Sequence, residues 1–330
     1  MNFLKALAVA LGMIALAVMG SGFPVMRTFV AVVAPYAAMG LFLVGVTIRV
    51  FRWAGAAVPF RIPTTCGQQT SLPWIKPARL ESPHRPIGVI LRVALEVLLF
   101  RSLFRNVGAE LRPGAKLTYG EEKLLWFGAL AFHWSLLIIM LRHLRFFMEP
   151  VPRMVAVLER VDGFLQAGVP AWYVTDAVIF AALAYLLLRR LNDARLRYIS
   201  LVADYLVLSL LLGVVSTGIL MRHFWKADIL AIKEFALGLV HFSPRAPEGA
   251  GAVFYAHIFL VSGLLACLPF SKLMHMAGIF LSPTRNLPNN SRMRRHLNPW
   301  NHPVRVHSYE EWEDEFRDKI KAAGLPLERP

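Results

Sequence analysis

Apolar residues in this 330-residue chain are gathered into runs long enough to cross a lipid bilayer as helices. A hydrocarbon core of about 30 Å requires roughly 17–25 helical residues. A segment in lipid must satisfy its own backbone hydrogen bonds, and a helix does so. The pattern predicts an all-α membrane protein with six transmembrane helices, at residues 4–20, 29–48, 124–144, 172–188, 199–221 and 253–275.

The first predicted span allows a second interpretation. Lys5, a short apolar run and the small residues at 20–22 also resemble a signal peptide. Because the chain includes Met1, we expect this segment to be retained as an anchor. Removing it would leave the remaining topology unchanged.

The loop between the second and third spans ends in an amphipathic stretch. A proline-rich part comes first, and charged residues then interrupt the apolar residues of 87–106 at helical spacing, namely Arg92, Glu96, Arg101 and Arg105. This pattern favours a helix lying in the membrane interface, with a seventh span as the alternative.

The region after the last predicted span is polar, and we expect it to be a soluble tail. Its segment 309–320 is acidic early and basic late, which favours a short helix and a docking surface for a partner, or else a solvated tail. The expected organisation is two N-terminal helices, a loop with the interfacial helix, a four-helix domain and the tail, at residues 1–51, 52–123, 124–281 and 282–330.

Basic residues orient the predicted helices. With the N-terminus inside, the inner segments hold 27 of the 36 Lys and Arg residues and the outer ones hold nine. The positive-inside rule therefore predicts cytoplasmic termini and a multi-pass protein of the cytoplasmic (inner) membrane.

Composition supports the membrane assignment and excludes other classes. Of all residues, 56% are hydrophobic and 17% are charged. A soluble domain of this size would not bury that much apolar surface. We attribute the net charge of +15 to topology and to contact with anionic lipids of the bilayer. Nothing resembles a folded nucleic-acid-binding domain, so no nucleic acid is expected as a partner.

Four histidines lie inside the predicted spans in two pairs. His133 and His143 are ten residues apart in the third span, and His257 and His275 are eighteen apart in the sixth. An ionisable side chain inside a span is costly and indicates a functional site. Two such pairs on two helices suggest axial ligands of two stacked b-type haems.

Helix geometry predicts how these histidines pair. The third and sixth spans are antiparallel, so His133 should face His275 near the cytoplasm and His143 should face His257 near the outside. Ten helical residues rise about 15 Å and eighteen rise about 27 Å, so the two separations do not match. Structural histidines that bond between helices, and a proton-relay transporter, are the alternatives.

The cysteines exclude two other kinds of redox centre. Cys66 lies on an inner loop and Cys267 lies inside a span, so a disulfide between them is not expected. Without a C-x-x-C-H motif there is no covalent c-type haem. Two cysteines cannot supply the usual four thiolates of an iron–sulfur cluster, so any cluster belongs to a partner.

Ionisable residues gather near the predicted outer haem. Arginines there are candidates to bind haem propionates or quinol through bidentate hydrogen bonds, namely Arg142, Arg145 and Arg222. Three residues are candidates to accept protons from a quinol, namely Asp176, Glu149 and His223. The alternative is that Arg142 and Asp176 simply form an ion pair.

These residues resemble known membrane cytochromes. The histidine spacings are similar to those of the nitrate reductase gamma subunit family, whose two spans supply four haem ligands in the same crossed pairing. The chain is more similar to the DsrM family of the DsrMKJOP complexes of sulfate reducers and sulfur oxidisers, which also fits the sixth, additional N-terminal span. The motifs that carry this resemblance are residues 99–105, 142–147, 282–286, 298–304 and 309–317.

The resemblance implies partners and a direction of electron flow. The implied partners are a cytoplasmic iron–sulfur subunit like heterodisulfide reductase, a periplasmic triheme cytochrome c, a periplasmic iron–sulfur protein and a second quinone-reactive membrane subunit. The expected reaction is oxidation of menaquinol near the outer haem, with electrons passing to the inner haem and then to the cytoplasmic subunit. The alternatives are electron flow in reverse and a haem-free membrane anchor.

Overall fold

The computed structural model of the chain describes residues 2–56, 67–114, 116–163, 171–282, 285–294, 303 and 305–329. These residues are mostly helical. The helices are α1 (Asn2–Gly20), α2 (Pro24–Thr28), α3 (Ala34–Ala54), α4 (Pro86–Leu99), α5 (Arg101–Phe104), α6 (Lys123–Phe147), α7 (Arg153–Asp162), α8 (Val174–Asn192), α9 (Ala194–Ile199), α10 (Val202–His223), α11 (Ile229–Val240), α12 (Ala252–Cys267), α13 (His275–Leu281) and α14 (Tyr309–Ala322).

Five helical segments within the described ranges are long and apolar enough to cross a membrane. They are Asn2–Gly20, Pro24–Ala54, Lys123–Phe147, Val202–His223 and Ala252–Phe270. The second joins α2 to α3 through a π-helical turn, Phe29–Val33. The prediction of an all-α membrane protein is confirmed at this level, and each of the five overlaps one predicted span.

The fourth predicted span corresponds to α8, which has 19 residues but is more polar than the other five. It runs antiparallel to α6 and is tied to it at both ends. Arg189 Nη2 donates to Glu122 at 3.1 Å at one end, and Arg142 Nη2 donates to Asp176 at 2.9 Å at the other. Glu122 and Arg142, which make these contacts, are separated by about 30 Å along the helix. The count of six spans stays a prediction.

Polar contacts define the two ends of the bundle. At one end, called here the Asp204 end, Asn2 Nδ2 donates to the Ser200 carbonyl at 3.0 Å and Lys272 pairs with Asp204 at 2.8 Å. The opposite end, called the Arg142 end, contains the close of α6 and the start of α8. Consecutive long helices therefore alternate in direction between these two ends.

Small residues allow α1 to pack closely into the bundle. It lies against α10 and α12, and its buried positions include Ala6, Ala10 and Ala17. Ala10 joins the fully buried Leu210 and Leu260 in one apolar cluster. Between apolar helices in lipid, small side chains let backbones approach and gain van der Waals contact. Retention of this helix in the mature protein stays a prediction.

The sixth predicted span is shorter than expected. α12 ends at Cys267 and is followed by two 3-10 turns, Leu268–Phe270 and Lys272–Met274, before α13 begins at His275. Pro269 has no backbone N–H to donate to the carbonyl four residues earlier, which favours the change from α-helix to a 3-10 turn here. Ser271, with φ of −109° and ψ of 177°, then leaves the helical path. The prediction of one continuous helix from 253 to 275 is therefore wrong.

The region before α6 also departs from the sequence prediction. The interfacial helix predicted at 87–106 ends at Leu99, where Phe100 adopts a left-handed conformation with φ of 50°, and α5 follows. An antiparallel hairpin then forms from β1 (Val107–Arg112) and β2 (Lys116–Glu121), in a chain predicted to be all-α. Gly114, with φ of 86°, accommodates its turn.

The tail helix predicted at 309–320 is confirmed as α14. Its N-terminus is capped by Ser308 and Glu311, which exchange hydrogen bonds with each other's backbone N–H. Part of the tail, at 295–302, and Cys66 lie outside the described residues. The four domain boundaries stay predictions.

A glycine at the α6–α8 contact gives a test of this packing. A Cβ added to Gly128 would lie 2.7 Å from the Tyr185 ring, whereas nothing lies within 4 Å of a Cβ added to Gly40. We expect Gly128→Ala to destabilise the protein by about 1–3 kcal/mol through overpacking. Gly40→Ala, the control, should not lower the unfolding temperature of the detergent-solubilised protein. Equal melting curves for both variants would contradict the close α6–α8 approach.

Candidate functional site

The structure brings His133 and His275 together. Their ring centres are 5.9 Å apart, with the ring planes inclined at 76°. An iron bound to two imidazole nitrogens at about 2 Å each would hold the ring centres about 6 Å apart. The separation of this pair is therefore compatible with one metal ion that both imidazoles would hold.

The second predicted pair, His143 and His257, lies toward the Arg142 end. Gly218 on α10 lies beside His257, where an added Cβ would be 3.6 Å from the ring carbon Cε1. Of the two crossed pairs expected from antiparallel helices, His133 and His275 are thus neighbours in space, and the pairing of His143 with His257 stays a prediction.

Hydrogen bonds fix the same tautomer in three of the four imidazoles. The Nδ1 atoms of His133, His143 and His275 lie 2.7, 2.7 and 2.8 Å from backbone carbonyl oxygens of their own turns. A carbonyl only accepts, so Nδ1 carries the hydrogen and the Nε2 lone pair remains available to a metal.

His257 reaches the same state through a side chain. Its Nδ1 lies 2.9 Å from the Thr217 hydroxyl oxygen, which itself lies 2.7 Å from the Gly213 carbonyl. The hydroxyl donates its single hydrogen to that carbonyl and therefore accepts from Nδ1–H. Hydrogen bonds of this kind orient histidines that ligate metals. Thr217 was not identified from the sequence, because a threonine in a span has no distinctive pattern.

The straight-helix estimate that produced the mismatch does not apply to this segment. The rise of about 27 Å between His257 and His275 assumed one straight helix. Because α12 ends at Cys267, that rise does not apply, and the 5.9 Å separation places His275 beside His133. The donor set, with two predicted pairs of imidazoles and four available Nε2 atoms, fits two b-type haems.

All four imidazoles also keep accessible surface. His143 is exposed although its neighbour Arg142 is only 7% exposed, and His275 is exposed beside the 2%-exposed Met274. His133 and His257 are half-buried. Each ring therefore keeps part of its surface free of contact with the rest of the described chain.

Arg142 organises a buried ionic cluster next to His143. Its guanidinium lies 2.9 Å from Asp176 on α8 and 3.1 Å from Asp162 at the end of α7. Asp162 is held in turn by the backbone N–H and the hydroxyl of Thr175, at 2.9 and 2.6 Å. The ion pair of Arg142 with Asp176, which the sequence left as an alternative, is present. Asp162 was missed, since no spacing links it to α8.

Aromatic residues continue the cluster toward α10. The Tyr173 ring lies between two guanidinium groups, with Arg142 at 3.7 Å and Arg222 at 3.9 Å from its centre. Beside it, the rings of Trp172 and His223 stack at 3.8 Å, almost parallel. Arg222 also donates to the Ala171 carbonyl at 3.0 Å. Cation–π contacts of this kind hold a guanidinium next to an aromatic face.

Two other predicted residues have partners outside this cluster. Arg145 pairs with Glu159 on α7 at 2.7 Å. Glu149 pairs with Lys233 on α11, and its side chain is 62% exposed. The structure thus brings Asp176 and Arg142 together, with Arg222 and His223 close by, and directs Glu149 and Arg145 to separate ion pairs.

A second charged cluster was not identified from the sequence as a site. Arg92, predicted to interrupt an interfacial helix, is only 5% exposed and lies near Glu81, Glu96 and Arg285. Burial is the largest cause that lowers the pKa of the Arg92 guanidinium, and the charge of Arg285 lowers it further.

Comparison with known proteins gives one family and two relatives. Residues 92–291 match the family of the nitrate reductase gamma subunit. The Hdr-like menaquinol oxidoreductase cytochrome b-like subunit of Archaeoglobus fulgidus is 43% identical over 276 residues, which cover 82% of each chain. The protein of the same description from Archaeoglobus profundus is 41% identical over 273 residues, or 81% of each chain.

The matched range contains α6, α8, α10 and α12 and all four paired histidines. Both relatives extend the similarity over most of the chain. On these grounds, the chain belongs to the nitrate reductase gamma subunit family.

Proposed function

We propose that this chain is the dihaem cytochrome b subunit of a membrane-bound menaquinol oxidoreductase. The pairing of His133 with His275 at 5.9 Å, with Nδ1 of both rings committed to carbonyl oxygens, is the observation that carries the proposal. Two relatives are described as cytochrome b-like subunits of Hdr-like menaquinol oxidoreductases. The finer assignment, to the DsrM family and to dissimilatory sulfur metabolism, rests on the motifs of the loop and tail.

The four histidines are the proposed iron ligands. His133 and His275 hold one haem b, and His143 and His257 hold the other, each through Nε2. When bound, the two haems supply one-electron transfer between the ends of the bundle. The chain's own contribution is to fix each imidazole in one tautomer, so that the lone pair faces the metal and does not rotate away.

The Arg142 end is the proposed quinol site. Asp176 offers a carboxylate to a quinol hydroxyl, and His223, stacked on Trp172, offers an imidazole at the edge of the same cluster. Both are suited to accept a proton when a quinol is oxidised. The Arg142 guanidinium already contacts two carboxylates, so its role is to hold Asp176 in place. Glu149 and Arg145 are assigned peripheral parts, as proton outlet and as propionate partner.

The proposed arrangement in the membrane follows from charge and from α8. Six helices cross the membrane, because α8 runs beside α6 over the whole distance between Glu122 and Arg142. The Asp204 end faces the cytoplasm and the Arg142 end faces the periplasm, so that quinol protons leave outward. Both termini are then cytoplasmic, in the inner membrane.

The proposed partners are arranged along the proposed direction of electron transfer. Electrons leave at the His275 end toward a cytoplasmic iron–sulfur subunit like heterodisulfide reductase. A periplasmic triheme cytochrome c, a periplasmic iron–sulfur subunit and a second quinone-reactive membrane subunit complete the proposed complex. A haem-free anchor and reversed electron flow toward quinone are the competing functions, and the haem content and the quinol reaction distinguish them.

Removing single ligands tests the haem assignment. We expect His133→Ala and His143→Ala each to lower the haem b content from two per chain to one, because an iron with one imidazole is held weakly. The haem would be quantified from the α band of the purified protein. The exposed His241 provides the control, and His241→Ala should retain both haems. Wild-type protein without b-type haem would contradict the proposal.

Asp176→Asn tests the quinol site. The amide keeps the size of the side chain but removes the charge and the proton acceptor, so we expect quinol-driven haem reduction to slow at least tenfold. Reduction by dithionite, which bypasses the site, should be unchanged. The control is Asp228→Asn, which retains a good helix cap on α11. Equal rates in both variants would exclude Asp176 from the quinol reaction.

Cysteine labelling tests the sixth span and the orientation. In a chain lacking Cys66 and Cys267, Val161→Cys and Tyr198→Cys place exposed thiols before and after α8. We expect a membrane-impermeant maleimide to label Val161→Cys from the periplasm and to leave Tyr198→Cys unlabelled in intact cells. Trp225→Cys, which follows α10, should behave as Val161→Cys does. Labelling of Val161→Cys and Tyr198→Cys from the same side would exclude α8 as a span.

A further inference from the structure

The amphipathic helix α4 turns its charged side inward. Arg92 is 5% exposed and the Glu96 side chain is 11% exposed, whereas Ile87 and Ile90 are each 63% exposed. An apolar outer face suits contact with lipid. The charged residues of α4 therefore face the protein, beside α6 and α13.

These inward charges surround a small cavity. It measures about 50 Å³, and its lining includes Glu81, Arg92, Glu96, Arg101, Arg285 and Ile279. Arg101 pairs with Glu81, and so does Arg105 from the next turn. Glu96 lies 3.6 Å from Arg285 and accepts from the backbone N–H of Ser102 at 3.1 Å. The two carboxylates are thus already engaged by the residues around them.

The cluster carries an excess of positive charge among the described residues. Four guanidiniums, those of Arg92, Arg101, Arg105 and Arg285, share the carboxylates of Glu81 and Glu96, and the Arg92 guanidinium also donates to the Glu81 and Arg285 carbonyls. An anion that reaches this cluster can gain ion pairs with guanidiniums that share only two carboxylates. Guanidinium groups bind carboxylates in a bidentate manner, which makes a carboxylate-bearing ligand the best match.

The cavity lies next to the His133/His275 pair. Phe100, the residue before Arg101, contacts the edge of the His133 ring at 4.9 Å between ring centres. Ile279, which lines the cavity, follows His275 by four residues in α13 and so lies on the same helix face. The cavity lining thus includes a residue about one helical turn from His275 and, in Arg101, the neighbour of a residue that contacts His133.

Two indole hydrogen bonds hold the cluster at this position. Trp126 Nε1 donates to the Leu99 carbonyl at 2.7 Å, and Trp134 Nε1 donates to the Leu98 carbonyl at 3.0 Å. The last carbonyls of a helix have no partner within the helix. α6 supplies those partners, which fixes the end of α4, and Arg101 after it, against the face that bears His133.

We infer that the arginines of this cluster bind the two propionate groups of the haem held by His133 and His275. The inference rests on the proposed haem ligation. A haem carries two carboxylates, which matches the excess of two positive charges. The same charges favour the reduced iron over the oxidised iron, because the oxidised iron carries one more positive charge. The cluster therefore raises the midpoint potential of this haem relative to a haem held by the same two histidines without the cluster.

Charge changes in the cluster test the inference in both directions. In a His143→Ala background, which retains only the haem in question, we expect Arg101→Gln and Arg285→Gln each to disfavour reduction about tenfold, equivalent to about 59 mV for one electron. Glu81→Gln, which leaves a larger positive excess, should shift the potential the opposite way. The readout is a potentiometric titration of the α band in purified protein, with haem content measured in parallel.

A matched control separates this local effect from general charge loss. Lys116→Gln removes one positive charge from the exposed strand β2 and should leave the potential unchanged. The inference would be overturned if Arg101→Gln and Arg285→Gln retained haem and its potential did not shift. Shifts of the same sign in all three cluster variants would also overturn it. Neither result would contradict the proposed haem ligation. Absence of haem from the His143→Ala protein itself would instead contradict the proposed function.

Discussion

A charged group inside an apolar helical bundle must be paired, and Arg142 shows how much of this structure follows from that requirement. Its guanidinium contacts Asp162 and Asp176, which draws the end of α7 and the start of α8 onto α6. The neighbouring residue on α6 is His143, so the same contacts fix the position of an imidazole along the bundle. Arg189 and Glu122 repeat the arrangement at the other end of α8.

The two ends of the bundle differ in their charge balance. At the Arg142 end, one guanidinium meets two carboxylates, and an aromatic ring separates it from Arg222. Beside His133 and His275, four guanidiniums meet two carboxylates. An electron is electrostatically more stable near the second group than near the first. The charges thus provide a gradient of electrostatic potential in the direction of the proposed electron transfer.

The sequence predicted those features that depend on local periodicity and composition. Long apolar runs correspond to helices in the structure, and the antiparallel order of the spans predicted that His133 and His275 become neighbours. The tail helix was predictable because its acidic start and basic end are local signals. Membership of the nitrate reductase gamma subunit family agrees with the histidine spacings.

Features that depend on distant contacts were not predictable from the sequence. The eighteen-residue spacing of His257 and His275 suggested one straight helix, whereas Pro269 ends α12 early. Asp162 joins Arg142 only because α7 folds back on α6. The interruptions at Arg92 and Glu96 correctly predicted an amphipathic helix, but the direction of its charged side depends on neighbours that periodicity does not reveal.

The break at Pro269 separates the placement of two imidazoles that share one stretch of chain. The Leu268 carbonyl accepts hydrogen bonds from the backbone N–H of Ser271 at 3.2 Å and from its hydroxyl at 3.0 Å, so this carbonyl is bonded within the break. Because the turns interrupt the helix, a small rotation or slide of α12 would move His257 without moving His275 by the same amount. Each half of the segment can therefore adapt to its own surroundings during evolution, without disturbing the geometry of the other.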